Sequence, residues 1–249
     1  IQRSTAISFK RISRKSPNYK QQLEALRQNI EVAKKTKFGL THHFTSLLQR
    51  TDLVSRYQQQ VPITEYDTFY QDWLEDAIIG AKDHIWPGRI KYFALSSGTT
   101  GAPSKRIPVT TEMIRSFQRV SLRQFSVLHE LNLSDNFYGS KVLAVGGSTK
   151  LKKVGNHFEG DLSGILKKHT SLIAAPFAKP NKKITHLKDW KAKLPLMVEQ
   201  APKWNIGIMA GIPSWCVLLL EEIVNHYQLK NIHEIWPNFK VYVHGGVYM

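Results

Sequence analysis

Short apolar runs alternate with helix-length amphipathic stretches over most of the chain, and this alternation limits the fold more than any other feature. Residues 92–95, 141–145, 204–211 and 239–244 read as strands, and 172–175 as another before Pro176. Helical patterns lie between them. Tyr66, Phe69, Tyr70, Trp73, Leu74, Ala77 and Ile78 form a broad apolar stripe ended by Gly80, with Thr64 and Asp67 placed as a capping pair. Thr110 or Thr111 opens a long helix to about residue 133, and Pro213 suits the first turn of another to about 227. Asn231 caps a short piece at 232–236. Parallel neighbours need long crossovers, and helices in those crossovers cover both sheet faces. The fold class is therefore α/β, a mostly parallel sheet flanked by helices.

The first 60 residues read differently. A basic start leads into a helix at 19–38 with Leu23, Leu26, Ile30 and Ala33 inward and Gly39 as its stop, then a second at 42–57. The expected organisation is a helical entry segment, 1–60, and one α/β lobe, 61–249. Residues 155–166 read as loop, and the lysine-rich stretch 179–193 as a solvated face around a helix starting near Thr185.

Composition narrows the function classes. A chain of 249 residues, 42% apolar, can bury a substantial core. The one cysteine, Cys216, excludes an internal disulfide and, within an apolar run, reads as a core residue. No secretory signal is present, and no apolar run approaches the roughly 20 residues of a membrane helix. The expectation is a soluble, cytoplasmic protein with no membrane partner. His42 and His43 lack a metal-binding companion at helical spacing. The balance of 35 basic to 19 acidic residues, +16, admits a nucleic-acid partner. The basic residues are scattered rather than interleaved with aromatics on one face, which weighs against that module. The chain opens on Ile1 and stops after a strand and a glycine pair, so it reads as a fragment and its charge as that of a piece.

One stretch carries chemistry. Leu95-Ser96-Ser97-Gly98-Thr99-Thr100-Gly101-Ala102-Pro103-Ser104-Lys105 follows a strand and combines four hydroxyls before its proline with two glycines and a lysine. Hydroxyl and backbone N–H donors on flexible glycines make a concave anion site, and an ammonium adds charge. The spacing is neither G-x-x-x-x-G-K-[ST] nor G-x-G-x-x-G. A surface turn has similar composition, so composition alone leaves both readings open.

Residue order goes further. Ser-Ser-Gly-Thr-Thr-Gly-x-Pro resembles the phosphate loop of the adenylate-forming superfamily, which cradles the β- and γ-phosphates of ATP. In the acyl-CoA synthetase branch a lysine directly follows the proline. Here Ser104 intervenes, and Lys105 is followed by Arg106-Ile107-Pro108. That is similar to the Gretchen Hagen family of auxin-responsive acyl-acid amido synthetases, with loop S-S-G-T-S-x-G-x-x-K-x-x-P. Ser96, Ser97, Gly98, Thr99, Lys105 and Pro108 match; Thr100 stands for a serine, and Gly101 and Ala102 exchange the order of the small residues. Val61-Pro62-Ile63-Thr64-x-Tyr66, Gly160-Asp161-Leu162-Ser163-Gly164, Gly211-Ile212-Pro213-Ser214-Trp215 and His244-Gly245-Gly246-Val247 resemble bacterial members in the family's order.

The resemblance implies the N-terminal part of a luciferase-like large domain. It implies joining a carboxylic acid to ATP with Mg2+, then passing the acyl group to an amino acid or amine. Ser96, Ser97, Gly98, Thr99, Thr100, Gly101 and Lys105 would hold the nucleotide phosphates. His244, Gly245, Gly246 and Val247 would line the adenine or acyl pocket. Asp161 would touch substrate or cap a helix. His157, and to a lesser degree His244, read as structural. The family's magnesium-serving glutamate motif and its C-terminal domain come after the glycine pair, outside this chain, so catalytic residues are expected there and the chain alone is expected not to adenylate. Alternatives are an acyl-CoA ligase of the phenylacetate type and a basic nucleic-acid-binding module.

Overall fold

A computed structural model describes residues 19–96, 104–170 and 174–245. In chain order the helices are α1 (Tyr19–Ala33), α2 (Lys37–Thr41), α3 (Phe44–Leu48), α4 (Leu53–Gln60), α5 (Tyr66–Phe69), α6 (Glu75–Ile79), α7 (Thr111–Val127), α8 (Asp135–Tyr138), α9 (Leu162–Lys168), α10 (Lys182–His186), α11 (Trp190–Gln200) and α12 (Pro213–His226). The strands are β1 (Tyr92–Leu95), β2 (Arg106–Val109), β3 (Lys141–Val145), β4 (Lys152–Val154), β5 (His157–Gly160), β6 (Ala178–Lys179), β7 (Ile206–Gly211) and β8 (Val241–Val243). They form two four-stranded sheets, ordered β2-β1-β5-β4 and β6-β3-β7-β8. The chain divides into two compact units: 1–93, 106–126 and 153–159 in the first, and 94–105, 127–152 and 160–249 in the second.

In the first unit α1 packs on α3 around Ile30, Ala33, Phe44, Leu47 and Leu53. Gly39 does not stop the first helix. The helix ends at Ala33, whose carbonyl accepts the Thr36 hydroxyl at 2.7 Å, and the Thr36 hydroxyl oxygen in turn caps α2 by accepting Gly39 N–H at 3.0 Å. Gly39 is buried inside α2, where a Cβ would stand 2.1 Å from Ala33 O. The expected helix at 42–57 is likewise two, α3 and α4. The Thr64 cap does not form, because α5 begins one residue later, behind Glu65. A π-turn, Tyr70–Leu74, joins α5 to α6, and Gly80 ends α6 at φ 105°, a left-handed conformation that glycine adopts without steric cost.

Two further sequence expectations fail for physical reasons. Residues 155–166 are not loop; they hold β5 and α9. The inward residues of β5 are His157 and Glu159, both buried, so the strand carries no apolar alternation to read. The long helix ends as α-helix at Val127 and continues only as a 3-10 turn, Leu128–Leu131. Its cap is Thr110, which accepts Met113 N–H at 3.1 Å.

In the second unit the sheet is parallel throughout, with Leu143 opposite Met209 and Met209 opposite Tyr242. That is the expected α/β arrangement. Leu143, Ile206, Met209, Leu219, Ile223 and Trp236 are fully buried in its core, each worth about 1.5–3 kcal/mol for the apolar part removed from water. Trp236 Nε1 donates to Ala201 O at 2.9 Å, which satisfies the indole inside that core. Cys216 is buried there too. Of the expected strand at 172–175, Leu172 and Ile173 lie outside the described residues. Ala175 opens a 3-10 turn, and the strand that follows, β6, joins the sheet beside β3. The lysine-rich stretch holds α10 and the start of α11 rather than one helix from Thr185, and its Lys193 is buried, not solvated.

Candidate functional site

The ends of the Ser/Thr/Gly loop are tied to each other. Ser96 N–H donates to Lys105 O at 3.0 Å, and Lys105 N–H donates to Ser96 Oγ at 2.9 Å. Strands β1 and β2, which the loop connects, are neighbours in the first sheet. Ser96 and Lys105 thus form a two-bond neck at the mouth of the loop, and the Lys105 residue is exposed. Ser97, Gly98, Thr99, Thr100 and Gly101 lie outside the described residues.

Immediately after Lys105, β2 is anchored inside the first unit. Tyr66 Oη accepts Arg106 N–H at 2.7 Å and donates to Arg106 O at 3.2 Å. Arg106 Nε donates to Glu159 Oε1 at 2.6 Å, and His157 Nε2 meets the same oxygen at 3.0 Å. His157 Nδ1 meets Ile78 O at 3.2 Å. Burial by itself raises the Glu159 carboxyl, but the bonds from Arg106 and His157 outweigh it and hold the group below the ordinary carboxylate range. The Glu159 bond in turn raises the Arg106 guanidinium.

In the second unit the carboxyl end of β3 runs into Gly146-Gly147-Ser148. Gly147 N–H donates to Ser163 Oγ at 2.9 Å. Asp161 occupies the N-cap position of α9 but makes no side-chain capping bond. Its carboxylate lies against Gly147 instead, where a Cβ would meet Oδ2 at 2.2 Å. Lys193 Nζ, from α11, donates to Gly146 O at 3.0 Å. Burial lowers the Lys193 ammonium and Asp161 partly restores it. Lys167 donates to Lys179 O at 3.3 Å, and burial, followed by the charge of Lys193, pulls it down to about 8. The side chain of Lys193 is thus a strut under the glycine pair. Lys193→Ala leaves Gly146 O without that donor and opens a cavity. It is expected to cost about 2 kcal/mol, read as a lowered urea midpoint.

His244 and Gly245 follow β8 and are exposed; the His244 ring stacks on Tyr242 with centroids 5.3 Å apart. A Cβ at Gly245 meets nothing within 4 Å. Gly246 and Val247 lie outside the described residues. His157, read from sequence as structural, bonds Glu159 and Ile78 O in a polar network that the sequence did not suggest. Among the described residues no three His, Cys, Asp or Glu side chains gather as metal ligands, and no helix is long and apolar enough to cross a membrane.

The sequence model of the GH3 family N-terminal domain matches residues 9–194. The chain belongs to the GH3 family. Solved structures that share its fold include two amido synthetases. One, a GH3.15 acyl acid amido synthetase, superposes with a TM-score of 0.67 at 18% identity over 90% of this chain and 39% of its own. The other, AtGH3.15 acyl acid amido synthetase in complex with 2,4-DB, gives 0.55 at 19% identity over 86% of this chain and 40% of its own. This GH3-family chain therefore spans about two-fifths of the length of those relatives. No curated protein sequence matches it.

For the GH3-family chain, sequence reasoning named Tyr66 and Arg106 but did not connect them with Glu159, and it did not single out Glu159 or Lys193. Arg106 and Glu159 are 53 residues apart, and no local period links them. The one available signal was charge in β5, a glutamate and a histidine at i, i+2, which share one face of a strand.

Proposed function

We propose that this chain carries the ATP-phosphate-binding part of an acyl-acid amido synthetase. The observation that carries the reading is the reciprocal Ser96–Lys105 neck beneath a loop of donor-rich sequence. Family membership and the fold shared with two amido synthetases support it. In the reaction a substrate carboxylate oxygen attacks the α-phosphorus of ATP, and the bond to the β-phosphate oxygen breaks. Pyrophosphate leaves with the electron pair. An amine then attacks the acyl carbon, AMP departs, and the amine proton goes to solvent or a base. Negative charge gathers on the pyrophosphate oxygens, so donors already aimed at them lower the barrier. Ser96, Ser97, Thr99 and Thr100 hydroxyls, the N–H groups of Gly98 and Gly101, and the Lys105 ammonium fill that role. The carboxyl ends of β3 and β8, with Asp161, His244, Gly245, Gly246 and Val247, supply the adenine or acyl side. The described residues offer no cluster of three His, Cys, Asp or Glu side chains for magnesium.

Titrating the chain with ATP by calorimetry tests this. Lys105→Met removes a charge-assisted contact and is expected to weaken ATP binding about tenfold to a hundredfold. Thr99→Ala is expected to weaken it less. Unchanged ATP affinity in both variants overturns the assignment. An acceptor assay with amino acids against coenzyme A, on a chain that includes the remainder of such an enzyme, separates amide from thioester formation.

A further inference from the structure

The first unit contains an apolar pocket of about 180 Å³ that the phosphate-loop chemistry does not use. Its wall is formed by Phe38, Phe69, Ile85, Trp86 and Ile90, with Pro108 and Thr110 at one side. The aromatic wall is held from behind: Phe38 meets Trp73 edge-on at 4.8 Å and Phe69 at 6.3 Å. Edges and faces of fixed rings are thereby presented to whatever enters.

The polar atoms at the rim satisfy one another. Trp86 Nε1 donates to Glu112 Oε2 at 2.9 Å. Thr110 Oγ1 accepts Met113 N–H and also hydrogen-bonds Glu112. Trp86 Nε1 and the Thr110 hydroxyl are thus already committed, and the wall residues Phe38, Phe69, Ile85 and Ile90 bring no polar side-chain atom. A ligand carboxylate or phosphate would lose its hydration against apolar walls that offer no uncommitted side-chain donor in return. Size narrows the choice further. An apolar cavity of about 150 Å³ lined by aliphatic and aromatic side chains takes up one benzene ring.

We propose that this pocket binds a single neutral aromatic ring. Such a ligand is not the acid that is activated, because a neutral ring has no carboxylate to adenylate. The lining shares no residue with Ser96, Lys105, Asp161, His244 or Gly245, so this is a second site, and the inference stands whether or not the phosphate-loop reading holds.

Ligand-observed fluorine NMR with the whole chain tests it, using fluorobenzene and 4-fluorobenzoate as probes. Fluorobenzene is expected to bind saturably, and fluorobenzoate at least about tenfold more weakly. Ile85→Trp fills the space and is expected to weaken fluorobenzene by about tenfold or more, whereas Trp215→Ala, in the other unit, leaves it unchanged. Should Ile85→Trp not fold, the unaltered chain with labelled isoleucine methyls gives the same answer, through contacts from the ring protons to Ile85 and Ile90. Absence of saturable binding, equal binding of fluorobenzoate, unchanged affinity in folded Ile85→Trp, a loss with Trp215→Ala or absence of those methyl contacts overturns the proposal.

Discussion

Gly164→Ala is expected to destabilise the chain by at least about 3 kcal/mol, although alanine is ordinarily the better helix residue by about 1 kcal/mol. Gly164 sits in α9, and a Cβ there would stand 2.0 Å from Ser148 O. The obstacle is backbone, so no rotamer relieves it. Relief requires α9 to move away from the loop after β3. That movement would stretch the bond from Gly147 N–H to Ser163 Oγ and displace Asp161 from Gly147. Urea unfolding checks the cost. Gly245→Ala is the control, since nothing lies within 4 Å of its Cβ, and it is expected to be neutral. If Gly164→Ala were neutral or stabilising, α9 would not pack against that loop as described.

Glu159→Gln is expected to be the second severe change. Glu159 is 5% exposed and takes bonds from Arg106 and His157 through one oxygen. Breaking a buried ion pair by removing one partner costs about 3–5 kcal/mol, and the partial exposure of Arg106 places this case near 3. The variant also has a pH signature. The Glu159 carboxyl lies lower in the folded chain than in the unfolded one, so its contribution is fully present above the unfolded value of about 4.3 and fades as pH falls through the folded value. The stability gap between the native chain and Glu159→Gln should therefore be wide at neutral pH and narrow in acid. A gap that does not change with pH would remove the charge network as its cause. Because Arg106 directly follows Lys105, the same variant should also weaken ATP binding if the loop exit depends on this anchor.

The sequence was most legible where the signal is local. The apolar runs at 92–95, 141–145 and 204–211 are strands with nearly those bounds, the last starting two residues later at Ile206, since β-branched and aromatic residues between helical periods leave little choice. Pro213 opens α12 and Gly80 ends α6 for reasons confined to their own φ angles. Family likeness was legible in the loop because residue order there reflects donor chemistry, not packing. The failures have a common cause. Strand β5 was hidden because its inward side chains are charged, and they are stable inside only because Arg106 arrives from another strand. Gly39 read as a helix stop because the helix interior that buries it is made by Thr36 and Ala33 acting across a turn.

By itself the sequence determined the α/β class, the helix-to-strand alternation and the order of donor residues from Ser96 to Lys105. These depend on period, on backbone conformation and on which donors stand in which order. Only the tertiary structure decided that Ser96 and Lys105 close a neck. It alone showed that Lys193, one lysine among many, lies buried under Gly146, and that five apolar side chains leave a pocket the size of one ring. Those facts depend on which distant segments meet, and a charged or aromatic residue looks the same in sequence whether its partner is water or another part of the chain.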